Sequence, residues 1–381
     1  MDLDFSQEQE MLREMVRGVC AEYAPVDLVR SLEDDPIGYP ADLWKQLGEL
    51  DLLGITIPEV FGGSEQGMFE AAIVYEEFGR SLAPTPHFVS CVLSAGAILR
   101  GGSEEQKREW LPRIASGDAI LTPAWLEPKN GYGPAGIQLR AERDGDDYVL
   151  GGTKLHALFA HSATRLVVPV RTGEGVTDIA LLLVDPTSAG VKLTQEFSLA
   201  SDTQYRVDFE AARVPASARI GSDDAGSRAD DTGWAIWNAV MYDAIILAAA
   251  QASGGARRAL EMAVDYAKER EQFDKPLGAF QAIAHYLSDA ATTVEGGSTL
   301  VYEAAWARDQ DRPIERLAPM AKLFACQTYR DVTAMAQQVY GGVGFTIEYD
   351  VQLYFRRAKQ LQLSWWDSRY LEELIAADVL D

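Results

Sequence analysis

Cysteine, histidine and positive charge are all scarce in this sequence. Its 381 residues include three cysteines, four histidines and 34 lysines and arginines against 58 acidic residues, so the net charge is −24. Nucleic acids and anionic membranes attract basic proteins, and neither is expected as a partner here. The cysteines are Cys20, Cys91 and Cys326. They form no C-x-x-C pair, which indicates a reducing compartment and argues against structural zinc.

Signals for export, membrane spans and common catalytic motifs are missing as well. The start, MDLDFSQEQEMLREM, lacks the basic segment and apolar run of a signal peptide. The longest apolar run, AIILAAAQA at 244–252, is too short to span a bilayer. No G-x-G-x-x-G follows a predicted strand and opens a helix, and no P-loop or G-x-S-x-G occurs. His156 and His161 lack nearby carboxylate ligands, so no metal site is expected. We therefore expect a cytoplasmic protein without a metal.

What is present is a large apolar fraction, 47%, arranged in three stretches of different texture. Residues 1–118 show helical periodicity, and residues 119–222 consist of short β-type runs separated by Gly, Asp, Pro and Ser. Helical periodicity returns over 233–381, after a charged linker, SDDAGSRADD, at 222–231. The order of helices, strands and helices predicts an α+β fold with a β domain between two helical domains.

Caps and glycines give the expected ends and contacts of several helices. Ser6 and Ser103 are predicted N-caps, and Gly79 is expected to end a helix. A long helix is predicted over 244–270, in which the Gly254–Gly255 pair allows close approach of a neighbouring helix.

Five segments together resemble the acyl-CoA dehydrogenase family. The likeness keeps the order of the family along nearly the whole chain. The segments are GITIPEVFGG (54–63), GSEEQKREWLPRIASGD (102–118), YVLGGTK (148–154), YAKEREQFDKPLGAFQAIAHYLSD (266–289) and QVYGGVGFTIEYDVQLYFRRAK (338–359). The resemblance implies FAD-dependent conversion of an acyl-CoA thioester to a trans-2-enoyl-CoA, with an electron-transfer flavoprotein as the oxidant of the reduced FAD.

The resemblance also implies an architecture and an assembly. An N-terminal helical domain (1–118), a β-barrel-like middle domain (119–222) and a C-terminal four-helix bundle (233–381) are expected. Members of the family hold FAD non-covalently and form dimers or tetramers. A homo-oligomer or an assembly with a related acyl-CoA dehydrogenase subunit is therefore expected.

Cofactor contacts are implied on two C-terminal segments. In the family, an arginine of an R-x-x-F segment reaches the diphosphate of an FAD bound mostly by a neighbouring subunit, and here this is Arg270. A diphosphate favours a guanidinium, and glycines let main chain approach a cofactor closely. The other implied contacts are Gln272, Phe273, Gln281 near the adenine, Gln338, Gly341 and Gly342. Considered alone, the glycine turn is also typical of a helix–helix connection with a C-terminal glycine.

The usual catalytic base of the family is missing at its expected place. Counting six residues past Lys359 gives Trp365, and an indole cannot accept a proton. Two carboxylates are candidates instead: Asp367, which is alternatively a surface residue, and Asp243, beside the position where some relatives carry the base. Asp243 is either a charge at the start of a helix, favoured by the helix dipole, or a carboxylate tuned by burial for proton abstraction.

The middle domain departs from the family pattern at its flavin contacts. The family's T-E-P-G-x-G-S-D segment reads LEPKNGYGP (126–134), which keeps Glu127 and loses the Thr and the Ser. The family's W-I-T contact reads His156, Ala157 and Leu158. Main-chain contacts survive such changes and side-chain hydrogen bonds do not. The chain's own flavin site is therefore predicted to be weaker than its contribution to the FAD of a partner.

Three functions remain open from the sequence. The first is a catalytic acyl-CoA dehydrogenase. The second is a non-catalytic subunit that helps hold the FAD of a catalytic partner in a heterotetramer. Trp365 favours this function, and the run DAIILAAA (243–250) resembles the small subunit of pimeloyl-CoA dehydrogenase-like pairs. The third is a related flavin oxidase or monooxygenase, in which reduced flavin reacts with oxygen.

Overall fold

The computed structural model describes residues 4–129, 131–221 and 232–380, so the linker predicted at 222–231 lies outside the described residues. The helices in chain order are α1 (Gln7–Tyr23), α2 (Val26–Ser31), α3 (Ala41–Glu49), α4 (Met68–Ser81), α5 (Ala95–Gly101), α6 (Glu104–Ala115), α7 (Gly233–Glu269), α8 (Gln281–Asp309), α9 (Leu317–Tyr340), α10 (Val351–Leu363) and α11 (Ser368–Leu380). The strands are β1 (Leu121–Pro123), β2 (Arg140–Asp144), β3 (Asp147–Leu158), β4 (Arg165–Arg171), β5 (Ile179–Val184), β6 (Val191–Glu196), β7 (Gln204–Pro215), β8 (Arg219–Ile220), β9 (Glu271–Gln272) and β10 (Lys275–Pro276). The predicted order of helices, sheet and helices is confirmed.

The chain divides into two compact units. The first, which we call the helical unit, comprises Met1–Arg30, Gly67–Ala83 and Ile245–Asp381. The second, the sheet unit, comprises Ser31–Gln66 and Pro84–Ala244. The division falls within α7, so this helix contributes residues to both units.

One mixed sheet organises the sheet unit. Its strands lie in the order β6-β7-β3-β2-β4-β5-β8, and β1 pairs with β4 in parallel. The alternation of buried and exposed residues along β3 and β7 places apolar side chains on one face, where they form a core that includes Leu150, Leu166, Leu182 and Val207. The β-type runs predicted between residues 119 and 222 are the strands of this sheet.

Both predicted N-caps are confirmed. The Ser6 hydroxyl accepts a hydrogen bond from the Gln9 backbone N–H at 3.2 Å, and the Gln9 side chain accepts one from the Ser6 backbone at 3.0 Å. Ser103 and Gln106 form the same capping box at the start of α6.

A distant carboxylate caps α4, which has no side-chain cap of its own. Asp309, the last residue of α8, accepts hydrogen bonds from the backbone N–H groups of Met68 at 2.6 Å and Phe69 at 2.9 Å. These are N–H groups of the first turn, which no residue within the helix can satisfy. Asp309 therefore ties the end of α8 to the start of α4 in the helical unit.

Glycines place α4 and α7 in backbone contact within the helical unit. A Cβ atom on Gly254 would lie 1.8 Å from the Glu76 carbonyl oxygen, and one on Gly79 would lie 1.9 Å from the Gln251 carbonyl oxygen. The close approach predicted for Gly254 is confirmed. The prediction that Gly79 ends its helix is wrong, because α4 continues to Ser81 and the glycine serves the helix crossing instead.

The long helix α7 begins earlier than predicted, at Gly233, and combines length with an apolar composition. The mean hydropathy of an 18-residue window within it is 1.3, which is high enough for a membrane-spanning helix. Polar residues interrupt this window, so it contains no continuous apolar run of that length. However, 67% of that window is buried inside the fold, as in the core helix of a globular domain.

A buried histidine in the sheet unit gives a pH-dependent prediction. The His87 side chain is fully buried, its Nε2 lies 3.0 Å from the Leu52 carbonyl oxygen, and burial lowers its pKa from 6.5 to about 4. The unfolded chain therefore binds a proton between these pH values and the folded chain does not. As the pH falls from 6.5 to 4, the free energy of unfolding should lose about 3 kcal/mol through this group.

Urea denaturation at several pH values measures this loss. The matched control is His87→Gln, which keeps a hydrogen-bond donor and cannot titrate. The pH slope between 4 and 6.5 should be smaller in His87→Gln than in the wild type, and equal slopes would contradict the assignment.

Candidate cofactor surface

A tight hairpin presents the first of the predicted cofactor segments. Strands β9 and β10 pair Gln272 with Lys275, and the two residues between them, Phe273 and Asp274, have φ values of 56° and 64°. Two left-handed residues are typical of a type I′ hairpin turn, but a bulky aromatic rarely adopts this conformation. The Phe273 side chain is 85% exposed at the tip, so nothing within the described chain buries it.

The glycine turn after α9 provides the second segment. Gly341 has φ +67° and ψ −139°, a combination that only glycine adopts without strain. A Cβ atom on Gly341 or Gly342 would meet nothing within 4 Å, so open space lies before this backbone. A Cβ on Gly344 would instead lie 2.9 Å from the Gln337 carbonyl oxygen. Internal packing thus explains Gly344, whereas Gly341 and Gly342 leave room for another group.

A small core joins the bases of these two segments within the helical unit. The rings of Tyr266, on α7, and Tyr340, at the end of α9, stack at 4.1 Å with an interplanar angle of 15°. The Tyr340 hydroxyl donates to the Met262 carbonyl oxygen at 3.2 Å, and Leu277 packs against the same cluster. The backbone of Arg270 is fixed by bonds to Tyr266 and Leu277. The hairpin and the glycine turn are therefore held on one support.

All seven predicted cofactor residues lie on the exposed surface of the helical unit: Arg270, Gln272, Phe273, Gln281, Gln338, Gly341 and Gly342. We call this set the cofactor surface. Within the described ranges, the Arg270 side chain makes no hydrogen bond or ion pair. Such a guanidinium, on the same support as open glycine backbone, is suited to an anionic group such as a diphosphate, so these residues fit that part of FAD.

Asp243 lies within α7 and makes an ion pair. The helix begins at Gly233, well before Asp243, so the interpretation of Asp243 as a first-turn charge is wrong. Its carboxylate accepts a hydrogen bond from the Arg100 guanidinium in the sheet unit, and its side chain is 18% exposed. The ion pair therefore gives Asp243 a structural partner within the sheet unit.

Asp367 acts as a helix cap. Its Oδ1 accepts a hydrogen bond from the Tyr370 backbone N–H at 2.9 Å, and its carbonyl oxygen accepts one from Leu371 at 3.0 Å, at the start of α11. These contacts account for a carboxylate at this position without a catalytic role.

The tryptophan pair before Asp367 is buried in a strained turn. Trp365 and Trp366 have φ values of 53° and 70°, and their side chains are 8% and 0% exposed. Lys322, fully buried on α9, donates to the carbonyl oxygens of Trp366 at 2.9 Å and Leu361 at 3.2 Å. Burial lowers the pKa of Lys322. The turn at Trp365 and Trp366 is thus fixed by an interior lysine.

Sequence reasoning missed Lys322 although a signal was present. The lysine shares the inward face of a helix with Ala318, Ala321 and Ala325, all of which are buried. A lysine on an apolar helix face requires buried acceptors, and that pattern alone marks it for attention.

A buried ion pair supports the segment that resembles the family's flavin contact in the sheet unit. The Lys154 ammonium, fully buried, donates to Glu127 Oε1 at 2.6 Å, and the Glu127 carboxylate also accepts from the Leu139 backbone N–H at 3.0 Å. Burial lowers the pKa of Lys154 to about 8. Downstream, His156 Nδ1 lies 2.9 Å from Gln204 Oε1.

Comparisons with known proteins agree with this architecture. Residues 6–118 match the family model "Acyl-CoA dehydrogenase, N-terminal domain", and residues 231–377 match "Acyl-CoA dehydrogenase, C-terminal domain". A probable acyl-CoA dehydrogenase of Bacillus subtilis is 32% identical over the full length of both chains. The butyryl-CoA dehydrogenase of Megasphaera elsdenii superposes with a TM-score of 0.91 at 26% identity and covers 100% of both chains. The ChsE4–ChsE5 complex of Mycobacterium tuberculosis contains a chain with a TM-score of 0.89 at 28% identity, covering 100% of this chain and 99% of that one.

This arrangement of helices, a mixed sheet and further helices is that of a family of flavoprotein oxidoreductases. The chain belongs to the acyl-CoA dehydrogenase family, whose members bind FAD.

Proposed function

We propose that this chain takes part in the FAD-dependent α,β-dehydrogenation of an acyl-CoA thioester to a trans-2-enoyl-CoA. The observation that carries the proposal is that the Arg270 guanidinium makes no hydrogen bond or ion pair with the described residues, on a segment joined through the Tyr266–Tyr340 stack to the open backbone of Gly341 and Gly342. FAD, when bound, would supply the acceptor for the hydride that leaves the β carbon of the substrate, and a carboxylate of the assembly would take the α proton. Arg270 neutralises diphosphate charge, and the glycines admit the cofactor against main chain. All three cysteines are free and buried, in keeping with the proposed cytoplasmic location.

An absorbance spectrum tests the proposal directly. The full chain is purified alone and together with a related acyl-CoA dehydrogenase chain encoded near it, and acyl-CoA thioesters of different chain types are added. A flavin band that bleaches on addition of a thioester supports the proposal. Preparations without flavin, or a band that no thioester bleaches, would refute it.

The electron acceptor is proposed to be an electron-transfer flavoprotein. One structurally similar chain comes from a study of the electron transferring flavoprotein of Acidaminococcus fermentans. Turnover should require such a protein and should consume little oxygen. Rapid oxygen uptake by the reduced flavin would instead favour the oxidase or monooxygenase alternative.

Replacement of Arg270 should weaken FAD binding. The Arg270→Gln variant should bind FAD about 10–100-fold less tightly, because hydrogen bonds to charged groups contribute about 1.5–3 kcal/mol each. Flavin fluorescence during titration of the deflavinated assembly measures the dissociation constant. Arg369→Gln is the matched control, since Arg369 is exposed on α11 and pairs with Glu373. Equal affinities for the two variants would contradict the role of Arg270.

The second candidate function is that of a partner subunit without its own base. The buried turn at Trp365 and Trp366 favours it, because no proton acceptor stands there. Solved relatives include the ChsE4–ChsE5 complex and a Tcur3481–Tcur3483 steroid enzyme, each named as a pair of chains. A stable, active assembly of this chain alone would exclude this candidate.

Asp243→Asn separates the two candidates. Because the Asp243 carboxylate is held by Arg100, we expect turnover of the assembly to change less than about twofold. The rate of thioester-dependent flavin bleaching, with FAD content measured in parallel, provides the test. Loss of turnover with FAD still bound would identify Asp243 as the base.

A further inference from the structure

Aromatic side chains close the sheet unit at the segment that resembles the family's flavin contact. The ring centroids of Trp125 and Trp237 are 5.4 Å apart, and those of Trp125 and Tyr132 are 5.8 Å apart. Trp125 is 3% exposed and Trp237 is fully buried. We call these three residues the aromatic wall.

The wall includes a position that the family pattern gives to a small polar residue. In the segment LEPKNGYGP, Leu126 stands where the pattern has Thr and Tyr132 where it has Ser. A phenol ring packed on an indole replaces a hydroxyl that would face a cofactor. The Leu126 side chain has no group that can form a hydrogen bond, and the Tyr132 ring lies against Trp125.

Main-chain groups beside the wall are engaged within the sheet unit. The Leu155 N–H donates to the Leu126 carbonyl oxygen at 2.8 Å, and the Phe159 N–H donates to the Thr203 carbonyl oxygen at 3.0 Å. The Leu158 carbonyl oxygen accepts from the Thr122 hydroxyl at 2.6 Å. A flavin that used any of these groups would therefore have to replace an existing hydrogen bond.

The charged groups of this region are likewise committed. Glu127 is paired with the buried Lys154 and with backbone N–H groups, and His156 contacts Gln204. Removing either member of the buried pair to bind a ligand would leave an uncompensated charge. This pair lies in segments that resemble those of the family, so it does not by itself exclude flavin. The features that do not fit an isoalloxazine ring are Leu126, Tyr132 and the rings packed on Trp125, whereas the cofactor surface of the helical unit fits a diphosphate.

We propose that the aromatic wall excludes flavin from the sheet unit of this chain, so that the FAD contacted by the cofactor surface is held by the sheet unit of a second, related chain. This inference rests on the proposed function and names the partner: an acyl-CoA dehydrogenase chain that keeps the Thr and Ser of the flavin segment. Each pair of chains then carries one FAD.

Flavin stoichiometry tests the inference. The full chain is incubated with FAD, passed through gel filtration and analysed for flavin per protein, alone and as the complex with the related chain. The isolated chain should retain less than about 0.1 FAD per chain, and the complex should hold roughly 0.5 FAD per chain. Circular dichroism of the isolated chain shows whether it is folded during the measurement.

Two variants sharpen the test. Trp237→Phe keeps an aromatic ring in the wall and should leave both ratios unchanged, whereas Arg270→Gln should lower FAD retention only in the complex. An isolated folded chain that retains one FAD, or a complex with one FAD per chain, would contradict the exclusion of flavin by the aromatic wall. The proposed function would not be affected by either result. Absence of flavin from both preparations would overturn the proposed function itself.

Discussion

Gly254→Ala should destabilise the helical unit by about 3 kcal/mol or more, the largest loss that we expect from adding a single methyl group to this chain. The new Cβ atom would lie 1.8 Å from the Glu76 carbonyl oxygen, and a backbone atom cannot rotate away as a side chain can. The helices α4 and α7 would have to separate. Gly79, on the facing helix, loses its close contact in the same movement.

Gly296→Ala is the matched control for this prediction. Gly296 is an exposed glycine within α8, and a Cβ atom there would meet nothing within 4 Å. Alanine is the better helix former, so this variant should gain about 0.5–1 kcal/mol. Urea denaturation followed by circular dichroism gives both values. Similar stabilities for the two variants would show that α4 and α7 do not cross in backbone contact.

Lys154→Met should cost the sheet unit about 3–5 kcal/mol, because it leaves the buried Glu127 carboxylate without its counter-ion. The Lys154 and Glu127 side chains are 0% and 6% exposed, so water cannot replace the ammonium group. Methionine has nearly the same length, and packing is therefore little changed. Differential scanning calorimetry of the full chain measures the loss.

An exposed ion pair in the same sheet provides the control for Lys154→Met. Arg140 and Glu174 are 3.0 Å apart, and their side chains are 58% and 87% exposed. Pairs of this kind contribute little in water, so Arg140→Met should leave the unfolding transition where it is. A loss in Arg140→Met as large as that in Lys154→Met would mean that burial does not determine the strength of the inner pair.

Local signals in the sequence predicted much of the fold. Residues close together in the chain determine the caps at Ser6 and Ser103 and the alternation of buried and exposed residues along the strands. These features could therefore be predicted from the sequence. Gly79 could not be interpreted in this way. A glycine near a helix end is typical of a stop, and only the position of α7 shows that it serves a crossing.

The sequence predicted which residues belong to the candidate site, but it did not predict the contacts that hold their segments together. Family motifs indicated Arg270, Gly341 and Gly342, but the stacking of Tyr266 on Tyr340 that joins their segments links residues far apart in the chain. The left-handed turn at Trp365 also escaped prediction, because the interior lysine that fixes it lies on another helix. Tertiary contacts override local preference in both cases.

The carboxylate of Asp309 has a consequence for biosynthesis. The N–H group of Met68, at the start of α4, donates to a residue that lies 241 positions further along the chain. Most of the helical unit is likewise translated after Ile245. The sheet unit, in contrast, is completely synthesised once Ala244 has been added, so it leaves the ribosome well before the end of the chain. On the ribosome, the sheet unit can therefore fold first, while the N-terminal helices remain unfinished until the nascent polypeptide is nearly complete.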